Sequence, residues 1–284
     1  MKITVWGARG SIPVSGSQYL RYGGDTTCVE LETRSRELII MDAGSGIRPL
    51  GNKVLAEKRR SAHLLLSHAH WDHILGFPFF KPLYLKDTTI YLHGCTIAQE
   101  SIKHLLGETM RAPFFPVDLN KVAANLVYDD RCPDEFTVAG LCVQRIPLSH
   151  PNKGYGFRLT EEDKSLAFFP DNEPLFSHPD GKDFKDYVEF LKGVDVLIHD
   201  AEYLPEEYER FAKGWGHSVS LDTVRLALDA EVKHLILWHL NQDRDDDAVG
   251  AMLADARKAV KAAGSDMVVD MARTGLSIEV GALK

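Results

Sequence analysis

The sequence predicts an α/β protein, on three observations. Short apolar runs of strand length recur along the chain, and several stop abruptly at a His or an Asp. Segments of helical character at 47–60, 96–107, 218–230 and 245–263 lie between them. One run, Ala62-His63-Leu64-Leu65-Leu66, leads straight into Ser67-His68-Ala69-His70-Trp71-Asp72-His73. Ligands of open α/β sheets gather at the carboxyl ends of strands, so this junction is where chemistry is expected. Four potential metal ligands crowd into positions 68–73, three of them drawn from only 12 His in 284 residues. Imidazoles with a carboxylate suit zinc, manganese or iron; a soft copper site would want thiolates, and none is nearby.

The bulk properties set the frame. Hydrophobic residues make up 44% and charged residues 26%, ordinary for a soluble globular chain. A core of this size needs no disulfide staples. Cys28, Cys95, Cys132 and Cys142 form no CxxC pair and read as small hydrophobes in a reducing compartment. The opening Met1–Trp6 alternates like a strand rather than a signal peptide, and no stretch has the length of a membrane span. A cytoplasmic protein with no membrane partner is expected. The formal net charge is −8, from 33 Lys and Arg against 41 Asp and Glu, which argues against nucleic acid as a partner. A small phosphate ester stays open, because two bound divalent cations would reverse the field inside a cleft. Lys58-Arg59-Arg60, the one tight basic run, reads as a solvated helix end.

In chain order, residues 1–45 read as strands broken by the glycine turns Gly7–Ser11 and Gly23–Thr27. Cys28–Leu31 and Glu37–Met41 form a hairpin that runs into Asp42. That Asp is either a turn residue or a hydrogen-bonding support for a metal ligand, and beside the His cluster the second role is favoured. After the helix at 47–60 and the strand at 62–66, proline and aromatics at 74–86 suggest an irregular helix. A strand at Thr89–His93 and the helix at 96–107 follow. The segment 108–135 reads as loop-rich, and 173–192 as a helix over the site. His63, His93, His104 and His178 are assigned to surface or packing roles.

The second half repeats one arrangement. Val143–Ser149 stops at His150, Leu166–Pro170 at Asp171, Val194–Ile198 at His199-Asp200, and Leu235–Trp238 at His239. Buried imidazoles and carboxylates are costly unless paired or bound to metal. One such residue alone could be a satisfied core group, but with His68 there are five strand ends alike, which argues for convergence on one site. Closing strands at 266–270 and 276–280 follow the amphipathic helix at 245–263. No linker or low-complexity segment interrupts the chain, so one domain spanning 1–284 is expected.

His68-Ala69-His70-Trp71-Asp72-His73, followed in order by His150, Asp171 and His239, resembles the metallo-β-lactamase superfamily. The resemblance covers the chain from Val5 to near Ile278. It implies an αββα sandwich of two mixed sheets flanked by helices. It also implies two divalent metal ions, zinc first and manganese or iron as alternatives. His68, His70 and His150 would hold one ion and Asp72, His73 and His239 the other, with Asp171 and a water or hydroxide bridging them. Redox members with diiron usually carry Glu at the position of His70, so hydrolysis is favoured.

Two further stretches narrow the resemblance. His150 followed by Gly154-Tyr155-Gly156 is similar to the phosphodiesterase branch, which includes the tRNA 3′-processing endonucleases. Ile198-His199-Asp200-Ala201-Glu202 and Gly216-His217-Ser218 resemble that branch's paired acid and histidine, although the branch usually has Glu where Asp200 stands. His217 would donate a proton to the leaving oxygen and Asp200 would hold it oriented and cationic. The catalytic set is then His217, Asp200 and Asp72. His217 also opens the helix at 218–230, with Ser218 or Ser220 as cap; both roles can hold together. The tRNA endonucleases carry a long arm between the third His ligand and the bridging Asp, whereas here only 21 positions separate His150 from Asp171 (171 − 150). The resemblance therefore implies a phosphodiesterase for a small, cyclic or linear, nucleotide-like ester, acting as a homodimer. The alternatives are RNA 3′-end processing and another hydrolase of this fold. A binding module on the same fold would have lost ligands, and none of the seven is lost.

Overall fold

The alternation of apolar residues along the strands decides the architecture. In a strand, successive side chains point to opposite faces. Leu38–Met41, Val196–Asp200 and His234–Trp238 are buried throughout, so both of their faces must be covered. The computed structural model describes residues 1–94, 101–129, 131 and 133–281. The start of the helix expected over 96–107, and Cys95 and Cys132, lie outside the described residues.

The first half contains β1 (Lys2–Gly7), β2 (Cys28–Glu32), β3 (Leu38–Met41), α1 (Ile47–Ala56), β4 (Ser61–Leu65), α2 (Trp71–Ile74), β5 (Thr89–His93), α3 (Ile102–Thr109) and β6 (Asn125–Asp129). The second contains β7 (Glu135–Val138), β8 (Leu141–Pro147), β9 (Tyr155–Glu161), β10 (Lys164–Phe169), α4 (Phe184–Leu191), β11 (Val196–Asp200), α5 (Pro205–Glu207), α6 (Ser220–Asp229), β12 (His234–Trp238), α7 (Asp246–Ala262), β13 (Val268–Met271) and β14 (Ser277–Glu279). One sheet runs β14-β1-β2-β3-β4-β5-β6 and the other β13-β12-β11-β10-β9-β8-β7. Each is mixed, its antiparallel strands giving way to parallel ones at β3–β4 and at β10–β11.

Between the sheets lie Ile39 and Met41 of β3, Phe168 of β10, Ile198 of β11, and Ile236 and Trp238 of β12. The alternate residues face outward. Leu38 and Ile40 pack with α1 and α3, while Leu197, Leu235 and Leu237 pack with α4, α6 and α7. This is the expected αββα sandwich, with helices outside two mixed sheets. No described helix is long and apolar enough to cross a membrane.

Some local expectations need correction. The segment 108–135 contains the edge strand β6 and the start of β7, not loop alone. Helix α4 does not cover the site; Tyr187 and Leu191 dock it on the outer face of the second sheet.

Candidate metal centre

Parallel strands place their carboxyl ends on one edge of a sheet, and here that edge carries polar groups. β3 leads to Asp42, β4 to Ser67 and His68, β10 to Asp171 and β12 to His239, and β11 ends at Asp200. β8 leads to His150. The short α2 begins just after His70 and presents Asp72 and His73 from its first turn. Both sheets therefore contribute.

The side chains meet. His68, His70, His150 and Asp171 form one group and Asp72, His73 and His239 another, with the ligand atoms of each group within 4.8 Å of one another. In the first group His70 Nδ1 lies 3.0 Å from His150 Nε2, and Asp171 Oδ2 lies 3.4 Å from His68 Nε2 and 3.6 Å from His150 Nε2. In the second, Asp171 Oδ1 lies 3.1 Å from His73 Nε2 and 3.5 Å from His239 Nε2. Asp72 Oδ2 stands 3.3 Å from His73 Nε2 and 3.1 Å from His239 Nε2. The two oxygens of Asp171 thus face different groups. His68 Nε2, His73 Nε2 and Asp171 Oδ1 are buried with no hydrogen-bond partner. Buried polar atoms are nearly always satisfied, so these three, His68 Nε2 in the first group and His73 Nε2 with Asp171 Oδ1 in the second, fit a cation in each. Asp171, His217 and His239 meet the same spacing criterion.

The far side of four of the imidazoles is tied down, while His70 turns its Nδ1 toward the cluster. His73 Nδ1 donates to Asp42 at 2.8 Å, His239 Nδ1 to Glu202 at 2.9 Å and His150 Nδ1 to the Gly216 carbonyl at 2.9 Å. His68 Nδ1 lies 3.0 Å from Ser67 Oγ, which itself donates to Asp42 at 2.8 Å. With the proton on Nδ1, each Nε2 keeps its lone pair for a metal. Asp42 and His239 hold φ of 59° and 58°, a left-handed conformation that costs about 1–3 kcal/mol each and collects at functional sites. The loop beneath is equally constrained: Gly10 N–H donates to the Leu240 carbonyl, and a Cβ on Gly10 would lie 2.3 Å from the His239 ring. Ser11 N–H donates to Asp72 Oδ2 at 2.9 Å.

Charge within the site is divided. Burial, with His68 nearby, pushes His70 down to about 4, and burial pushes His150 well below the usual imidazole range. Burial also opposes charge on His73 and His239, but the surrounding carboxylates, Asp171 foremost, outweigh it and hold both well above that range. Burial works against ionised Asp72 and Asp171 as well; His73 and His239 hold both carboxyls well below their ordinary values.

His217 stands beside this cluster, its ring stacked on that of His239 at 4.6 Å. Its Nδ1 donates to Asp200 Oδ2 at 2.8 Å, so the shorter Asp does reach. Glu202 Oε2 lies 3.5 Å from the same nitrogen. Burial lowers the His217 pKa, but Glu202 and Asp200 outweigh it and raise it to about 9. Asp200 itself is pushed up to about 6, chiefly by burial.

All seven ligand candidates, His217 and Asp200 therefore converge. His63 and His93 pair with each other at 3.0 Å, away from the cluster, and His178 bonds to Glu173. Sequence reasoning missed Glu202 and Ser67. The signal for Glu202 was its place two residues beyond Asp200, just past the end of β11.

Residues 38–240 match the family model of the β-lactamase superfamily domain. Ribonuclease Z of Porphyromonas gingivalis is 25% identical over 285 residues, covering 83% of this chain and 90% of that protein. The metallo-β-lactamase-fold protein YhfI of Bacillus subtilis superposes with a TM-score of 0.71 at 20% identity, over 98% of both chains. The short form of human tRNase Z does so with a TM-score of 0.67 at 18% identity, over 99% of both. These two structural likenesses establish the fold. Further relatives, at 22–25% identity, are likewise Ribonuclease Z or Ribonuclease BN. They overturn the expectation that nucleic acid is no partner. That expectation rested on net charge, which averages the whole surface, whereas a polyanion responds to the field at the groove it enters.

Proposed function

The chain belongs to the β-lactamase superfamily, and from that membership we propose that it is a two-cation phosphodiester hydrolase acting on RNA, in 3′-end processing. The observation that carries hydrolysis is Asp171, whose two oxygens face two separate groups of imidazoles. The ribonuclease relatives support RNA as the substrate class. In this reading His68, His70 and His150 would hold one cation and Asp72, His73 and His239 the other, with Asp171 available to both. Zinc is the leading metal, and manganese or iron would accept the same donors. When bound, such a pair would supply Lewis-acid polarisation of the phosphate and a more acidic water.

The chain's own groups supply the rest. His217 donates a proton to the leaving ribose oxygen, and Asp200 and Glu202 keep its ring oriented and charged. Asp72 joins the catalytic set as well as the ligands, its Oδ2 fixed by Ser11 N–H.

One observation favours a second reading, a small nucleotide-like diester. Between His150 and Asp171 the chain forms only the β9–β10 hairpin, turned by Glu162 and Asp163, with no extension to grip a long polymer. The test begins with bis(p-nitrophenyl) phosphate after chelation and metal add-back. A precursor tRNA with a 3′ trailer is then set against a panel of cyclic and linear nucleotides. Metal-dependent cleavage of the precursor at low enzyme concentration is expected. Turnover of the small esters alone would move the assignment to the second reading, and no turnover of either would overturn both.

A further inference from the structure

Glu173 lies two residues beyond Asp171 and is 1% exposed. A buried carboxylate is costly unless hydrogen-bonded, and here each oxygen accepts two bonds. Oε1 accepts from Tyr208 Oη at 2.6 Å and from Gly214 N–H at 2.7 Å. Oε2 accepts from Gly216 N–H at 2.7 Å and from His178 Nε2 at 2.9 Å. Gly214 and Gly216 both have positive φ, 84° and 91°, in a segment with no ladder to hold it.

What Gly216 does next matters most. Its carbonyl accepts from His150 Nδ1, and a Cβ there would sit 2.2 Å from that nitrogen. The following residue is His217, hydrogen-bonded to Asp200. One carboxylate therefore fixes the N–H of the residue whose carbonyl orients His150 and whose next neighbour is His217.

We infer that Glu173 is a positioning residue that acts through the backbone of Gly216 on both His150 and His217; the inference rests on the proposed two-cation reading of the site. A staple that merely held the fold would treat its four donors alike. Positioning through the glycine amides would not, and this separates the two. In Glu173→Gln the amide NH₂ must face either Gly214 N–H or Gly216 N–H, so one glycine amide loses its acceptor whichever way the side chain turns. In Tyr208→Phe both glycine bonds survive and only the hydroxyl is lost.

With the metal-loaded full chain and bis(p-nitrophenyl) phosphate, Glu173→Gln should lower kcat by about 10–100-fold, with KM within about twofold. Zinc competition against a chelator should show one of the two ions weakened by about 10–100-fold and the other retained. Tyr208→Phe should stay close to wild type in both. Equal losses in the two variants, or wild-type zinc affinity and kcat in Glu173→Gln, would overturn the inference. Hydrogen exchange on the metal-free wild-type chain needs neither turnover nor a folded variant. There the Gly214 and Gly216 amides should be as protected as those of β11, and exchange at the rate of an open loop would also overturn it. If the wild-type chain hydrolyses no ester at all, the proposed function fails, while zinc competition and exchange still decide this inference.

Discussion

His217 carries its charge because two carboxylates face one ring nitrogen, Asp200 at 2.8 Å and Glu202 at 3.5 Å. Burial alone would favour the neutral ring. Its folded-state pKa is raised from 6.5 to about 9, so the stability it brings to the metal-free chain is complete below 6.5 and is lost as pH rises through about 9. Bound cations would push the value down from there by like-charge repulsion. Glu202→Gln removes the largest single favourable influence, while Asp200 keeps both its charge and its hydrogen bond on the ring. It should lower the His217 pKa of the metal-free chain, read from its imidazole resonances; an unchanged titration would leave Asp200 as the only partner that counts. His217→Ala tests the role itself. If the ring is the proton donor, turnover should fall by about 10²–10⁴-fold with both ions retained by elemental analysis. Loss of an ion would instead mark His217 as a ligand, which its spacing to Asp171 and His239 permits.

At the scale of elements, the strands decide where these groups land. Trp238 is wholly buried at the end of β12, edge-on to Phe168 at 5.7 Å between the sheets, and His239 is the next residue. Trp238→Ala should cost about 3–5 kcal/mol in denaturant unfolding of the metal-free chain, the usual range for an emptied aromatic core site. The strand ends at His68, Asp171, Asp200 and His239 were legible in the sequence because a short apolar run halted by one polar residue is a local signal. Asp42 was legible for the same reason. β6 was not: its Asn125–Asp129 pattern has no fully buried residue, since it closes an edge of its sheet, and neighbouring prolines imitate loop. Helix α4 was legible as a helix but not in its docking, because an amphipathic stripe does not say which apolar surface it will meet. Glu173 and Glu202 look like surface acids in sequence; only the folded chain places glycine amides around one and His239 beside the other.

At the scale of the whole molecule, the site exists only where the sheets meet. His68, His70, Asp72 and His73 follow a strand of the first sheet, and His150, Asp171 and His239 follow strands of the second. Cation binding as proposed would therefore be coupled to docking of the sheets, since a site that is absent from the unfolded chain adds its binding energy to folding. The same arrangement bears on RNA. On the proposed function, 33 basic against 41 acidic residues leave no general excess of positive charge to draw in a polyanion, so the attraction would be local to the cations held at the centre. Proteins that track a backbone with lysines and arginines show steep salt dependence, with a log–log slope near −0.7 for each phosphate contacted on a single strand. Here the slope for a 3′-extended RNA binding to the metal-loaded His217→Ala variant should be shallow, about −1 to −2, corresponding to roughly one to three phosphates. Chelation should abolish the binding at every salt concentration. A slope steeper than about −5 that survives chelation would reveal a basic track elsewhere on the surface, and would separate RNA binding from the centre formed by the two sheets.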